Sequence, residues 1–331
     1  MKDISLVKLL PNEPKVPFIS LRVVAAILSV ILIIASIFLF STKNLNYGID
    51  FTGGTVLEID TGAEPDLELI RTTVGNVDLE KTGSGLQLIA PPQGPQGADG
   101  GHNYVRIAIP LQPESEEFGA QTQQLALEKV QAALNENVGE FTVRSQDVVG
   151  SKVSGELRQK GLIAILSALV MIMAYIAFRF EWQFAIGAVA ALVHDVLLTI
   201  GVFSLTGIEF NLSIIAAILT IVGYSLNDTV IVYDRIRENL RKYKKMPMPE
   251  VLNLSINDTL SRTILTSMTT LLALVALYIL GGEGLRGFSF AMIWGVIVGT
   301  YSSIFVASPL LLLLKLKRGA NTGGKKPEEE A

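Results

Sequence analysis

Gly161–Phe178 reads GLIAILSALVMIMAYIAF, an apolar run without a single charged side chain. A bilayer core takes roughly 20 such residues in a helix, so the run predicts a membrane span. Working outward, Phe184–Thr206, Leu212–Tyr233, Thr263–Leu280 and Phe288–Leu314 follow it closely, and Leu21–Phe40 stands well before it. Six spans are expected. The last is long and carries Pro309 near its end, which predicts tilt or a kink. In the same run Gly295 and Gly299 form a G-x-x-x-G pair, a pattern that permits close helix contact and is also common by chance in apolar helices.

Composition agrees. Half of the 331 residues are hydrophobic, 18% are charged and the mean hydropathy is +0.46, against about 25% charged in soluble chains. The net charge of -4 provides no basic field for a nucleic acid. Cysteine is absent, which excludes disulfides, thiolate metal sites and cysteine nucleophiles. With His102 and His194 the only histidines, a histidine-rich metal site is not expected, and no cofactor is called for. The first run, preceded by Pro11, Pro14 and Pro17, lacks a small-residue cleavage site near Phe40-Ser41-Thr42; it reads as an uncleaved anchor rather than a secretory signal.

Lysine and arginine set the orientation. The segment through Arg22, the 179–183 turn, the 234–262 connection and the tail from Lys315 hold 17 of them together; the 207–211 and 281–287 turns hold only Arg286. Residues 1–20 and 315–331 are therefore expected in the cytoplasm, as is the 234–262 loop, with 21–40 the first span, 161–314 a five-helix domain and 41–160 outside the membrane.

Residues 41–160 have a different character, with 17 acidic against 9 basic side chains. Val56–Asp60 alternates like a strand; Pro65–Val74 reads as a short helix opened by proline and acids; Val77–Ala90 is one strand or a hairpin broken at Gly83-Ser84-Gly85. A Pro/Gly-rich loop, Pro91–Gly101, leads to an alternating Tyr104–Ile109. Ser115–Asn135 carries Leu125, Val130 and Leu134 as its apolar positions, and Phe141–Val149 is a last strand. The order β-α-β-β-α-β predicts an α+β, ferredoxin-like soluble domain. It holds no nucleophile-elbow, zincin or Cys-x-x-Cys pattern, so binding or mechanical work is the simpler role.

Ionisable groups inside spans cost at least about 2.5–3.5 kcal/mol each and need a reason. Asp195, beside His194, lies mid-way along the third span; Asp228 follows Tyr224, Ser225 and Asn227 in the fourth; Arg262 opens the fifth. Counted from the basic side, Asp228 and Arg262 sit at similar depth. Burial disfavours a charged carboxylate and a nearby guanidinium favours it, so relative movement of the two would make Asp228 hold or release a proton. The plainer readings are helix-bridging hydrogen bonds for Asp228, Asp195 and His194, and snorkelling for Arg262. The cluster Arg235, Arg237, Arg241, Lys242, Lys244 and Lys245 fits positive-inside topology and anionic lipid contact better than nucleic acid. Gly319–Lys326 nearly spells a P-loop, but Lys326 replaces the required Ser/Thr and no strand precedes it; an energy source other than a nucleotide is implied.

Three motifs carry a resemblance. Gly48-Ile-Asp50-Phe-Thr-Gly53-Gly54 follows the first span. Gly223–Asn239, GYSLNDTVIVYDRIREN, fills the fourth, and Ser261–Ser267 opens the fifth; His194-Asp195 is a further match. With the layout of one span, an outside domain and five spans, the chain resembles the SecF family of the bacterial SecDF translocation complexes, relatives of RND transporters. The resemblance implies an RND-like fold in the cell inner membrane. It implies SecD as partner, association with the SecYEG channel and other Sec accessory membrane proteins, and use of the proton motive force to help an unfolded translocating polypeptide leave the channel. Carried across, Asp228 matches the proton-path aspartate and Arg262 its arginine, with Asp195 a weaker candidate and Asn227, Tyr224 and His194 in support. Catalytic residues are not implied. The rivals are an RND-type small-molecule or lipid exporter subunit, an intramembrane aspartyl protease (Tyr233-Asp234 is present, Gly-x-Gly-Asp is not) and a structural assembly factor.

Overall fold

The computed structural model describes residues 15–62, 65–77, 87–89, 104–112, 119–314 and 316. A 3₁₀ turn, Phe18–Leu21, leads into α1 (Arg22–Lys43). A short turn of helix, α2 (Ile49–Thr52), then opens the soluble domain: β1 (Gly54–Asp60), α3 (Leu67–Gly75), β2 (Gln87–Ile89), β3 (Tyr104–Pro110), α4 (Gly119–Asn137) and β4 (Thr142–Val149). The bundle continues with α5 (Ser151–Arg179), α6 (Trp182–Thr206), α7 (Leu212–Lys242), α8 (Met248–Leu280) and α9 (Glu283–Ser302), then a π-helical turn, Ser303–Ala307, and α10 (Ser308–Leu313). Among the described residues, six helical stretches are long and apolar enough to cross a membrane.

The soluble domain is the ferredoxin-like arrangement. Its sheet runs β2-β3-β1-β4 with every neighbour antiparallel. Leu57 and Ile59 of β1 and Val105, Ile107 and Ile109 of β3 alternate onto one face, where they meet Ile70 and Val74 of α3 and Ala126, Leu127, Val130 and Leu134 of α4. Leu125, expected in that core, is exposed: five residues from Val130 is 140° round a helix, and Ala126 and Leu127 take the inward positions instead. The expected loop Pro91–Gly101 and the Gly83-Ser84-Gly85 break lie outside the described residues.

Two segments, one expected as a loop and one expected within the soluble domain, are largely helix. Within 234–262 only 243–247 lies between helices, because Ile236, Leu240, Leu252, Ile256 and Leu260 continue the helical period and pack as a hairpin. Asn239 Nδ2 donates to Ser255 Oγ and to Asp258 Oδ2, each at 3.0 Å, and Arg235 Nε donates to Asp258 Oδ2 at 2.8 Å. Residues 151–160, grouped with the soluble domain by their charge, form the first turns of α5.

In the bundle, α6, α7 and α9 are inner helices, about half buried, whereas α1, α5 and α8 present most of their apolar surface outward. Lipid tails solvate Leu and Ile as well as a protein core does, so spans associate through close packing and polar contacts. The close packing is visible at α9, where a Cβ on Gly295 would lie 2.2 Å from Ile221 Cγ1 and one on Gly299 2.9 Å from Ser225 Cβ. The G-x-x-x-G pair is thus the face that α9 lays against α7.

Candidate functional site

Three inner helices bring their polar residues to one level. Asp195, mid-way along α6, is fully buried; its Oδ2 accepts from Ser225 Oγ of α7 at 2.7 Å and from Ser302 Oγ of α9 at 2.8 Å. Its Oδ1 lies 3.0 Å from His194 Nδ1. The hydroxyl ladder continues, with Thr229 Oγ1 2.8 Å from Ser303 Oγ, and Ser303 Oγ donating to the Gly299 and Ser225 carbonyls at 2.9 and 3.3 Å. The π-helical turn begins at Ser303, and Ser308 Oγ returns a bond of 2.9 Å to the Ser303 carbonyl. This is the distortion expected around Pro309, whose ring cannot donate to the preceding turn, and such turns concentrate at functional positions. His194 stacks on Tyr301 at 5.9 Å, and Tyr301 OH donates to the Ala25 carbonyl of α1 at 2.9 Å. Asp195 is thus a satisfied hub for α6, α7 and α9.

Asp228 is the opposite case. It is 1% exposed, and neither carboxylate oxygen has a hydrogen-bond partner among the described residues. Arg262 of α8 is within electrostatic reach of it, yet the two are not joined in an ion pair among the described residues. Removing an ion from water without a partner costs several kcal/mol, so burial here favours the neutral carboxyl and the distant guanidinium opposes it. Thr263 Oγ1, next to Arg262, and His194 Nε2 are also buried without partners. Tyr224 OH donates to Thr270 Oγ1 at 3.5 Å, tying α7 to α8. Asn227 faces out of the bundle, away from Asp228, as adjacent residues on a helix must diverge.

A second assembly joins the soluble domain to the bundle. Gly48 N donates to the Phe210 carbonyl at 2.9 Å, and Asp50 Oδ2 accepts from Leu212 N at 2.8 Å. Asn211, at the N-cap of α7, makes no side-chain cap; the carboxylate of Asp50 supplies one from another segment. Gly53 and Gly54 have φ of +72° and +124°, and a Cβ on Gly54 would lie 2.4 Å from the Ile109 carbonyl oxygen. The pair lets the chain turn from α2 into β1 where β3 leaves no room for a side chain. Glu209, in the α6–α7 turn, lies over Gly48 and 3.8 Å from Arg106 of β3, which also approaches Glu58 at 3.9 Å. Burial pushes the Glu209 carboxyl above its ordinary range; Arg106 opposes the rise and Asp50 adds to it. Sequence reading missed Glu209, Arg106, Ser302 and Ser303. An acid in a five-residue turn and paired serines in an apolar helix were the available signals.

The family "Protein export membrane protein SecD/SecF, C-terminal" matches residues 129–317, more than half of the chain, and the "SecD/SecF GG Motif" matches residues 38–63. The crystal structure of SecDF, a translocon-associated membrane protein from Thermus thermophilus, is similar with a TM-score of 0.78 at 35% identity, covering 93% of this chain and 40% of the SecDF chain. Six spans with a ferredoxin-like domain inserted after the first define a multi-pass membrane protein of the RND-like class. Proteins named protein translocase subunit SecF are similar along almost the whole length: 44% identical over 324 residues in Rhodobacter capsulatus (98% of this chain, 95% of that one) and 42% over 324 residues in Cereibacter sphaeroides (98% and 96%). The chain belongs to the SecF family of protein translocase subunits.

Proposed function

We propose that this chain works with a SecD partner beside the SecYEG channel, and that the proton motive force, acting through Asp228, drives its soluble domain to help exported polypeptides leave the channel. The observation that carries the reading is the buried, unpartnered carboxylate of Asp228 with Arg262 in electrostatic reach. A proton arriving at Asp228 removes the reason for Arg262 to approach, and its departure restores that reason. Each charge crossing about 100 mV supplies about 2.3 kcal/mol, so a few protons suffice for a domain movement. Asp195, already satisfied, is the weaker proton site and holds the inner helices in register with His194; Tyr224 supports the path from α7, while Asn227 lies on the outer face of that helix. Gly48, Asp50, Gly53 and Gly54 pass movement between α7 and the soluble domain. In this reading both termini are cytoplasmic, residues 41–160 are extracytoplasmic, and the basic end of the bundle touches anionic lipids. The nearly full-length similarity to proteins named as translocase subunits favours export of polypeptides over small molecules and over an enzymatic role.

The test is export of a reporter precursor from ATP-depleted vesicles under an imposed proton gradient, comparing wild type with Asp228→Asn after co-purification shows that both retain SecD. Loss of gradient-driven completion supports the reading. Export equal to wild type would make Asp228 a packing residue and the chain a scaffold.

A further inference from the structure

At the end of the bundle remote from the soluble domain, the last turns of α5 and α7 leave an open cleft of about 510 Å³ lined by Arg179, Asp234, Arg237, Glu238, Arg241 and Lys242. We propose that this cleft is a binding site for the phosphodiester headgroup of an anionic phospholipid. Four cations face two carboxylates there, a net charge of +2. The acids neutralise only part of the cationic charge. Glu238 is taken by Arg235, outside the cleft, at 2.7 Å, which leaves Asp234, 3.6 Å from Arg179. Arg237 Nη1 donates only to the Arg179 carbonyl, at 3.4 Å, and Arg241 has no ion-pair partner among the described residues.

The fold holds these like charges together. The guanidinium groups of Arg179 and Arg237 each lie 5.1 Å from the ring of Phe180, which is itself buried. Cation–π contact fixes both without consuming their N–H donors. Two anchored guanidinium groups, each with one nitrogen facing a protein oxygen and the remaining donors outside the described contacts, match the oxygens of a phosphate, which they bind in forked pairs.

The surroundings point to a lipid rather than free phosphate. Phe178 is 93% exposed, and Tyr175 and Trp182 are 55% and 57% exposed, all within four residues of Arg179. That surface offers an acyl chain a bed beside the headgroup site, and Tyr and Trp gather at headgroup depth. Basic pockets between spans at this side of a membrane suit anionic headgroups. The inference rests on the anionic-lipid contact proposed above and narrows it from a diffuse field to one site.

Native mass spectrometry of the full chain in detergent tests it, with phosphatidylglycerol, phosphatidylcholine and inorganic phosphate titrated separately. Wild type is expected to retain phosphatidylglycerol preferentially. Arg241→Gln, at an exposed position, should lower the apparent affinity about fivefold and Arg237→Gln/Arg241→Gln further, while Lys244→Gln/Lys245→Gln, equal in charge removed but outside the cleft, should leave it near wild type. Equal losses in the two double variants would overturn the site while leaving diffuse attraction intact. Equal retention of phosphatidylcholine would overturn headgroup recognition, and displacement of the lipid by inorganic phosphate would overturn the lipid in favour of the free anion. Absence of any anionic lipid adduct would overturn both the site and the broader contact.

Discussion

Gly54 and Glu209 meet the same constraint from opposite sides, a crowded junction between sheet and bundle. At Gly54, with φ of +124° and the Ile109 carbonyl oxygen 2.4 Å from where a Cβ would stand, Gly54→Ala must move β1 away from β3. The expected loss is at least about 1–3 kcal/mol, read as a lowered Tm of the purified protein, whereas Gly62→Ala, also at positive φ but with open space around it, should lose less. Glu209 is a pH question. Its folded-state pKa is raised above the ordinary value of 4.5. Its ionised form therefore weakens the fold: the penalty is absent below the ordinary value and complete above the raised one. Glu209→Gln mimics the protonated carboxyl and should raise Tm at about pH 7.5 but make no difference at about pH 4; an advantage that persists in acid would assign the effect to packing. Asp228 and Asp195 were legible in the sequence because a charge in an apolar run is conspicuous. Their fates were not. Ser302, which satisfies Asp195, lies 107 residues away, and a hydroxyl in a membrane helix looks the same in sequence whether it faces a carboxylate or its own backbone.

Among the elements, α9 is held on two counts. Its glycine face meets Ile221 and Ser225 of α7, and the next turns supply Ser302 and Ser303 to the polar level. Gly299→Leu should cost about 1–3 kcal/mol through overpacking and separate Ser302 from Asp195 as well. Gly284→Leu, on the same helix with open space around it, should leave thermal stability in detergent unchanged. If both variants melt alike, the α7–α9 contact is looser than described. The element order of the soluble domain was legible because alternation along β1 and β3 marks them as strands with one buried face. Helix ends were not. Hydropathy marks where a helix meets lipid, and α7 and α8 continue beyond that on the strength of side chains that pack into a protein cluster rather than into lipid. The short α2 left no periodic signal at all; its place is set by Phe51 packing against Phe203 and Phe210 of the bundle.

Taken whole, the molecule is a soluble sheet fastened to a helix bundle by a few bonds, which converge on the turn before α7 and on its first residue. Asp50 caps α7 from the soluble side, Asp228 lies within it, and Arg237 and Arg241 end it at the basic cleft. Asp50→Ala should release the first turn, at a cost of about 1 kcal/mol, and hydrogen exchange should then quicken at Leu212–Ile215 but not around Asp228; uniform quickening would mean that the cap supports the whole bundle. The 31 residues of α7 contain no proline, and about 24 Å of continuous helix separates Leu212 from Asp228. On the proposed function a helix of that kind would serve as a connecting rod: pulling on the soluble domain would displace the buried acid, and repositioning the acid would tilt the soluble domain. A chain under tension outside the membrane would then be felt as a change in proton leak, so force and proton flow would become two readings of one gauge.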